Sequence, residues 1–304
     1  MTPTAILLIV ASAALHATWN MIVKKSRTGL AMYATLCSVG AIWTFAVRFF
    51  TPLNFFSQPA AFYGWQALML LSEFSYAYGL IASYRALDMS VAYPIMRSLP
   101  ILLLAGVTTA LGIGKPLSAH AVLGMGMAFT GCLFLPLSKF SDFRPSRYLD
   151  KSFAYVIFVA LGTTGYTLCD SQSQKVMVEA ANAAGIEVSK TLFSLTYYSF
   201  RSLLLASTLW VVILCGRESR ADAVALWRRR SWTPLLAGCC SSMTYILVLI
   251  AMHSVTNVAY VQTFRQTGLL FGLAEAVFIL KERCTAPKVI GTALVLGGLA
   301  ISVL

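Results

Sequence analysis

Long apolar runs, separated by short polar stretches, cover the chain from one end to the other. Ten of them have about the length, roughly 17–25 residues, that a helix needs to cross the hydrocarbon core of a bilayer. The runs are residues 4–23, 30–50, 62–84, 91–113, 119–137, 153–169, 191–215, 232–252, 258–280 and 286–304. The pattern predicts an all-α integral membrane protein with ten transmembrane helices, the first of which is a span and not a cleaved signal peptide.

Composition strengthens this prediction. Hydrophobic residues make up 58% of the chain, charged residues 11%, and the mean hydropathy is +0.76, whereas soluble domains carry about 25% charged residues. The connections are too short for a soluble domain, so we expect the function to lie within the membrane. The sequence contains no HExxH, GxSxG or phosphate-loop motif, and its seven cysteines lack metal-ligand spacing. We therefore expect no metal, no cofactor and no enzymatic activity.

The net charge of +12 follows the connections between the runs. Sixteen Lys and Arg residues lie in or beside the odd-numbered connections, and four lie beside the even-numbered ones. Because cytoplasmic connections carry the excess of Lys and Arg, the odd connections are predicted to be cytoplasmic and both termini non-cytoplasmic. The charge thus indicates a multi-pass protein of the inner or plasma membrane rather than nucleic-acid binding.

The second half of the chain repeats the first at an offset of 167 residues. Residues 65–137 and 232–304 share fifteen identities in 73 positions, against about half a dozen expected by chance for this composition. The polar linker 138–151 separates two halves, 1–137 and 152–304, each with five predicted spans. Since five is odd, equivalent helices enter the membrane from opposite faces, which is the inverted-topology repeat typical of transporters.

Proline and glycine positions add detail to this architecture. Pro100 lies inside the fourth span, opposite Thr267 of the other half, and predicts a kink in a helix that lines a cavity. Two motifs of small residues, Gly124-x-x-x-Ala128 and Gly268-x-x-x-Gly272, favour close helix packing. We interpret them as contacts within a monomer, with a homodimer interface as the alternative.

Three stretches carry a resemblance to a known family: HAxWNxxxK at 16–24, YRALDxSVAxP at 84–94, and LKER at 280–283. They resemble motifs of the drug/metabolite transporter superfamily, specifically its EamA-type members. The sequence departs from that pattern at Lys115, the first-half counterpart of Glu282, where such proteins often have Glu. The resemblance implies two inverted five-helix repeats around a central cavity near mid-membrane. It also implies secondary carriage of small polar metabolites, often export of amino acids or related compounds.

Ionisable residues inside the spans are the first candidates for the function. They are Glu73, Arg97, Arg201, Arg265 and Glu275, and each costs about 2.5–3.5 kcal/mol at a helix centre, so each should find a partner. We interpret Arg97 and Arg265 as cations that bind a substrate carboxylate or phosphonate. A structural ion pair, for example Glu73 with Arg265, is the equal alternative, and for Arg201 a structural role is favoured.

Aromatic and polar side chains complete the candidate substrate site, because tyrosine offers an apolar face and a hydroxyl. Besides Glu73, Arg97 and Arg265, the candidates are Trp19, Asn20, Tyr78, Tyr93, Tyr166, Tyr245 and Tyr260. Candidates for proton coupling are His16, Glu73 and Asp170. For Asp170, just past the sixth predicted span, a solvated side chain is the favoured interpretation, and for His16 a helix-capping or packing role is favoured.

The expected function is secondary active or facilitative transport, as export, of a small polar metabolite such as an amino acid or a related zwitterion or organic anion. The expected partners are this small molecule, the lipid bilayer and a coupling proton, and no nucleic acid. One alternative is an exporter of cationic drugs or choline-like amines that uses Glu73 and the tyrosines. Another is a non-transporting membrane protein or an intramembrane enzyme. Whether Glu73 is free in the cavity or paired with Arg265 would discriminate between the exporter of zwitterions or anions and the exporter of cations.

Overall fold

Helices form nearly all of the described chain. The computed structural model describes residues 1–23, 29–87, 89–143, 151–229, 231–278 and 284–304, of which 20–23, 84, 89–91, 275 and 276 are described by their backbone alone. No β-strand occurs in these ranges, which confirms the all-α prediction. The helices are α1 (Pro3–Val23), α2 (Leu30–Thr44), α3 (Ala60–Ala86), α4 (Met89–Ala110), α5 (Ala119–Phe134), α6 (Ala154–Ala183), α7 (Lys190–Cys215), α8 (Arg217–Arg228), α9 (Thr233–Met252), α10 (Ala259–Phe264), α11 (Thr267–Phe278) and α12 (Ala286–Ser302).

Several of these helices have the length and composition of membrane spans. Within the described ranges, five helical stretches are long and apolar enough to cross a membrane, and three shorter helices are also apolar. The five are Leu30–Phe49, Ala92–Ala110, Lys151–Ala183, Lys190–Cys215 and Thr233–Met252. The chain thus carries the apolar helices that the hydropathy pattern predicts, and the full set of ten spans stays a prediction.

The helices pack mainly as pairs distant in sequence. Helix α3 packs along α6, α1 along α9, α5 along α12, and α2 along α7. Helix α4 contacts α5, α6 and α10, while α1 contacts α10 and α11. One large apolar core joins most of these helices and includes the fully buried side chains of Ile9, Phe62 and Tyr197. Residues of the two halves therefore share one core.

Four glycines bring α5 and α12 into backbone contact. A Cβ atom built on Gly124 would lie 2.4 Å from the carbonyl oxygen of Gly298, and one on Gly298 would lie 2.5 Å from that of Gly124. Gly131 and Gly291 form the same reciprocal contact, at 2.6 and 2.8 Å. Only glycine permits such an approach, as at small-residue helix interfaces in membranes. The packing of Gly124 within the monomer agrees with the interpretation of its motif.

Two glycines end helices that flank the same side of the bundle. Gly112 follows α4 with φ +63° and Gly185 follows α6 with φ +68°. Beyond each glycine an amide bonds back into the helix, Ile113 N–H to the carbonyl of Thr108 (2.8 Å) and Ile186 N–H to that of Ala181 (2.9 Å). This is the glycine-terminated Schellman arrangement, which needs a left-handed residue that glycine adopts without steric cost.

Helix α6 differs from its sequence prediction. The apolar run ends at residue 169, but the helix continues for another fourteen residues, to Ala183. Its polar side chains Asp170, Ser173 and Gln174 are all buried, because they point inward against other polar groups and not into lipid or water. The expectation that Asp170 lies past the end of a span, with a solvated side chain, is therefore wrong.

The predicted ninth span has an interruption that the sequence did not predict. Helix α4 runs through both Pro94 and Pro100, whereas the predicted ninth span is divided. Helix α10 ends at Phe264 and α11 begins at Thr267, the position opposite Pro100 in the repeat. Arg265 and Gln266 form the turn between them, so the interruption coincides with a charged residue and its neighbour.

We predict that Gly124→Ala lowers the stability of the protein in detergent, because its methyl group would overlap the Gly298 carbonyl and separate the two helices. Overpacking of this kind costs about 1–3 kcal/mol. The matched control is Gly126→Ala on the same helix, where nothing lies within 4 Å of the added Cβ and alanine favours the helix. Thermal unfolding followed by size-exclusion chromatography measures both. Equal unfolding temperatures for the two variants would contradict the close contact.

Candidate functional site

Arg201 of α7 binds two carboxylates from two other helices. Its Nε donates to both carboxylate oxygens of Asp170 on α6, at 2.8 and 2.9 Å, and its Nη2 donates to Oε1 of Glu73 on α3. Arg201 is 5% exposed, Asp170 0% and Glu73 3%. We call Glu73, Asp170 and Arg201 the ion-pair cluster. Its two carboxylates and one guanidinium, when all ionised, sum to one negative charge.

Tyrosine hydroxyls also donate to the oxygens of these carboxylates. Tyr33 of α2 donates to Oε2 of Glu73 at 2.6 Å. On the other side, the hydroxyls of Tyr197 (2.7 Å) and Tyr245 both donate to Asp170. Such charge-assisted hydrogen bonds offset the cost of burying ions. The ion-pair cluster therefore joins α2, α3, α6, α7 and α9.

Aromatic faces complete the surroundings of Arg201. The guanidinium carbon lies 4.5 Å from the ring centre of Tyr245 and 5.9 Å from that of Tyr166. The Tyr166 ring is buried and makes edge contacts with Tyr76 and Tyr245. These cation–π contacts stabilise a buried cation further. They place the two predicted site residues Tyr166 and Tyr245 at the ion-pair cluster.

The structural role favoured for Arg201 agrees with this geometry, but the partner suggested for Glu73 does not. Glu73 pairs with Arg201, so the suggested ion pair of Glu73 with Arg265 is wrong. The reason is the helix pairing. Glu73 lies on α3, which packs along α6 and hence beside Asp170, whereas Arg265 follows α10, which packs against α4 and α1.

A second group of charged residues lies where α1, α4 and the α10–α11 turn meet. Arg97 Nη1 is 3.3 Å from His16 Nε2, and Arg97 Nη2 donates to the carbonyl of Arg265 at 3.3 Å. Gln266 Nε2 in turn donates to the carbonyl of Arg97 at 2.9 Å, and Trp19 Nε1 donates to His16 Nδ1 at 3.2 Å. We call His16, Arg97 and Arg265 the arginine cluster.

The arginine cluster lacks the compensation that Arg201 has. Among the described residues, the ion pairs are those of Arg201 with Glu73 and Asp170, and none involves Arg97 or Arg265. Two buried nitrogens, Nε of Arg97 and Nη1 of Arg265, have no hydrogen-bond partner in the described part of the chain. Arg265 is only 6% exposed. Two permanently charged guanidinium groups therefore belong to one cluster without a carboxylate from these residues.

The other predicted site residues are not members of either cluster, or their side chains lie outside the described residues. Tyr78 is 58% exposed on the outside of α3, where its ring contacts Tyr155 and Phe158 of α6. Tyr93 on α4 and Tyr260 on α10 are half-buried. The side chain of Asn20 lies outside the described residues, as do the side chain of Glu275 and the turn 281–283.

A cleft of about 460 Å³ opens between the ends of α4, α6 and α9. Its lining residues are Gly112, Ile113, Gly114, Ser171, Gln172, Gln174, Lys175, Val178, Glu179, Met252, His253, Val255, Thr256, Asn257 and Val258. Gln174 lies one helical turn from Asp170, and Val258 precedes Arg265 by seven residues, roughly 10 Å along a helix. No member of either cluster is among the residues that line the cleft.

Sequence reasoning left Tyr33, Tyr197 and Gln66 out of the site. Gln66 Nε2 donates to the hydroxyl of Tyr197 at 3.0 Å and to Ser173 Oγ at 2.8 Å, so it extends the network around Asp170. The available signal was the helical spacing of polar residues. Positions 170, 173 and 174 on α6, and 194, 197 and 201 on α7, each mark one face of a helix.

Comparisons with known proteins identify the fold and nothing more specific. No protein-family model matches the chain, and no curated protein matches it. Among 28 matching chains of solved structures, one described as "Crystal structure of protein" aligns with a TM-score of 0.67 at 14% sequence identity. The alignment covers 99% of this chain and 98% of that one. The whole chain therefore shares its fold with a solved structure.

We predict that Arg201→Gln strongly destabilises the protein, because it leaves two buried carboxylates without their shared cation. Removing one partner of a buried ion pair costs about 3–5 kcal/mol. The control is Arg48→Gln, since Arg48 is half-buried and bonds Ser199 Oγ rather than a carboxylate. Thermal unfolding in detergent should show a much lower unfolding temperature for Arg201→Gln. Similar temperatures for both variants would show that the ion-pair cluster adds little stability.

A second prediction concerns His253, which lines the cleft beyond the end of α9. Burial, together with the nearby Lys190 ammonium, lowers the pKa of His253 to about 4. Below pH about 6.5 the unfolded chain therefore binds a proton on His253 that the folded protein does not bind. The free energy of unfolding should fall as the pH drops from 6.5 towards about 4. His253→Gln should weaken this fall, while His120→Gln, at an exposed position, should not. An identical pH dependence of the unfolding temperature in wild type and His253→Gln would refute the assignment.

Proposed function

We propose that this chain is a secondary transporter of the EamA type that carries a small organic anion or zwitterion across the membrane. One observation carries the proposal. Arg97 and Arg265, both held at the crossing of α1, α4 and the α10–α11 turn, present buried N–H groups and two positive charges without a carboxylate from the described residues. A charged substrate group of opposite sign supplies the missing partner.

The packing of the helices supports an inverted-repeat carrier. If the halves are exchanged, α1 corresponds to α6, α3 to α9 and α4 to the α10–α11 pair. The pairing of α1 with α9 then maps onto that of α6 with α3, and the pairings of α2 with α7 and of α5 with α12 map onto themselves. The domains of the proposed carrier are the halves 1–137 and 152–304, joined by the linker 138–151.

The energetics of buried charge favour an anion at the arginine cluster. Ionisable groups inside membrane proteins are costly, and they mark substrate pathways when they are not used in structural pairs. Guanidinium groups bind carboxylates and phosphates in a bidentate manner, which gives orientation as well as attraction. An amino acid, whose carboxylate meets the arginines, and an organic acid both satisfy this requirement.

The state of Glu73 weighs against the alternative of a carrier for cationic drugs or amines. Its two carboxylate oxygens are engaged by Arg201 and Tyr33, so a cationic substrate would have to displace a guanidinium and break a hydrogen bond. The tyrosines Tyr166 and Tyr245 already contact Arg201. A cation would find its aromatic partners occupied.

The proposal also includes a route of access and a coupling proton. The cleft is lined by the connections 111–118 and 253–258, which the charge pattern assigns to the non-cytoplasmic side together with both termini. Alternating access then requires rocking of one half against the other, which closes this cleft and opens the opposite side. The excess negative charge of the ion-pair cluster makes Glu73 and Asp170 the candidates for a coupling proton, and His16 a third within the arginine cluster.

We predict that proteoliposomes containing the protein take up a small organic anion or zwitterion, from among amino acids, organic acids and organic phosphates, and not cationic amines such as choline. Arg97→Gln and Arg265→Gln should each reduce this uptake by about tenfold or more, since each removes a charged hydrogen-bond donor worth about 1.5–3 kcal/mol. Uptake of a radiolabelled panel of amino acids, organic acids, organic phosphates and amines measures the effect.

Arg85→Gln is the matched control, because Arg85 is exposed at the end of α3 and should tolerate the change. Transport of amines that survives Arg97→Gln and Arg265→Gln but fails in Glu73→Gln would replace this proposal with that of a cation carrier.

A further inference from the structure

The hydrogen-bond roles of His16 reveal a missing acceptor. The indole Nε1 of Trp19 can only donate, and it donates to His16 Nδ1. His16 Nδ1 must therefore be unprotonated, which places the ring proton on Nε2. The guanidinium of Arg97, which also only donates, lies 3.3 Å from that Nε2. Two donors thus face each other, and neither satisfies the other.

The other hydrogen-bond donors of the arginine cluster also lack acceptors. Nε of Arg97 and Nη1 of Arg265 are buried without an acceptor among the described residues, and burying such groups unpaired is costly. One neutral acceptor, Oε1 of Gln262, lies one turn before Gln266 and is itself unpartnered. It can bond one donor, but it leaves both positive charges uncompensated. The arrangement needs several acceptor oxygens and about two negative charges.

The donors also converge from three directions. His16 lies on α1, Arg97 on α4, and Arg265 in the turn between α10 and α11. Arg265 is close enough to His16 to interact with it electrostatically. A planar carboxylate presents two oxygens in one plane, whereas a tetrahedral oxyanion presents three oxygens along three directions. Three donor groups, two on helices and one in a turn, fit the second geometry.

We propose that the arginine cluster binds a phosphate or phosphonate group, a tetrahedral dianion, and that the carried substrate is a small organic phosphate or phosphonate. In this site Arg97 and Arg265 neutralise the two charges, and His16 Nε2–H donates to one oxygen. His16 is then a substrate-binding residue, held in the required tautomer by Trp19. The inference rests on the proposed transport function and narrows it to one class of anion.

Three probes of equal chain length separate charge from shape: propyl phosphate, propyl sulfate and butyrate. The first is a tetrahedral dianion near neutral pH, the second a tetrahedral monoanion, and the third a planar monoanion. Calorimetric titration of the purified full-length protein should give an affinity for propyl phosphate about tenfold or more above those for the other two. Arg97→Gln and Arg265→Gln should each remove most of that advantage.

His16 is tested by its role as a donor. His16→Phe should weaken binding of propyl phosphate, and His16→Gln, which keeps a donor, should restore part of it. Trp19→Phe should also weaken binding, because it frees the tautomer of His16. A thermal-unfolding profile like that of the wild type establishes that each variant is folded. If His16→Phe does not fold, the comparison of the three probes on the wild-type protein still decides the proposal.

The outcomes separate this inference from the proposed function. Equal affinities for propyl phosphate, propyl sulfate and butyrate overturn the dianion inference and leave an anion carrier in place. Binding of propyl phosphate that is unchanged in Arg97→Gln and Arg265→Gln overturns the assignment of the site. Binding of none of the three anions, together with binding of choline, overturns both.

Discussion

The fold depends on how it compensates charge inside an apolar helical bundle. Arg201 meets Asp170 and Glu73 at its centre, and these residues come from α7, α6 and α3. Ions in such a place are tolerated only when paired and hydrogen-bonded. The tyrosines that donate to both carboxylates bring α2 and α9 into the same network. One buried guanidinium thereby fixes the relative positions of five helices.

The contrast between the two polar clusters gives each a different task. In the ion-pair cluster, donors and acceptors match, so the cluster holds the helices together. In the arginine cluster, donors exceed acceptors, and the surplus lies at the interrupted helix α10–α11. A structural interaction is most stable when every donor has an acceptor, whereas a binding site must leave donors free for its ligand. The bundle separates these two requirements in space.

The sequence predicted the apolar helices well, because the hydrophobic effect acts on runs of residues and leaves a clear pattern. It predicted the helix ends less well where polar residues face inward. The extent of α6 past residue 169 is the example, since polarity at Asp170 resembles the edge of a membrane until its partner on α7 is known.

The partner of Glu73 could not be predicted for a similar reason, because several cations lie at equal depth and only the packing of α3 along α6 selects Arg201. The interruption at Arg265 could not be predicted, because no proline lies there and an arginine has no comparable effect on the backbone. Arg97 and Arg265, which the sequence suggested for one substrate site, are in contact through the carbonyl of Arg265.

The glycine contacts between α5 and α12 form a seam with the character of a symmetric dimer interface. Gly124 meets Gly298 and Gly131 meets Gly291, and under the repeat offset each pair is the image of the other. Such an interface is isologous, since both sides offer the same positions to each other. A five-helix half on its own would therefore expose a face complementary to a second copy of itself. The linker 138–151 joins two halves into one chain, whereas two separate chains of this kind would have to associate to form the same interface.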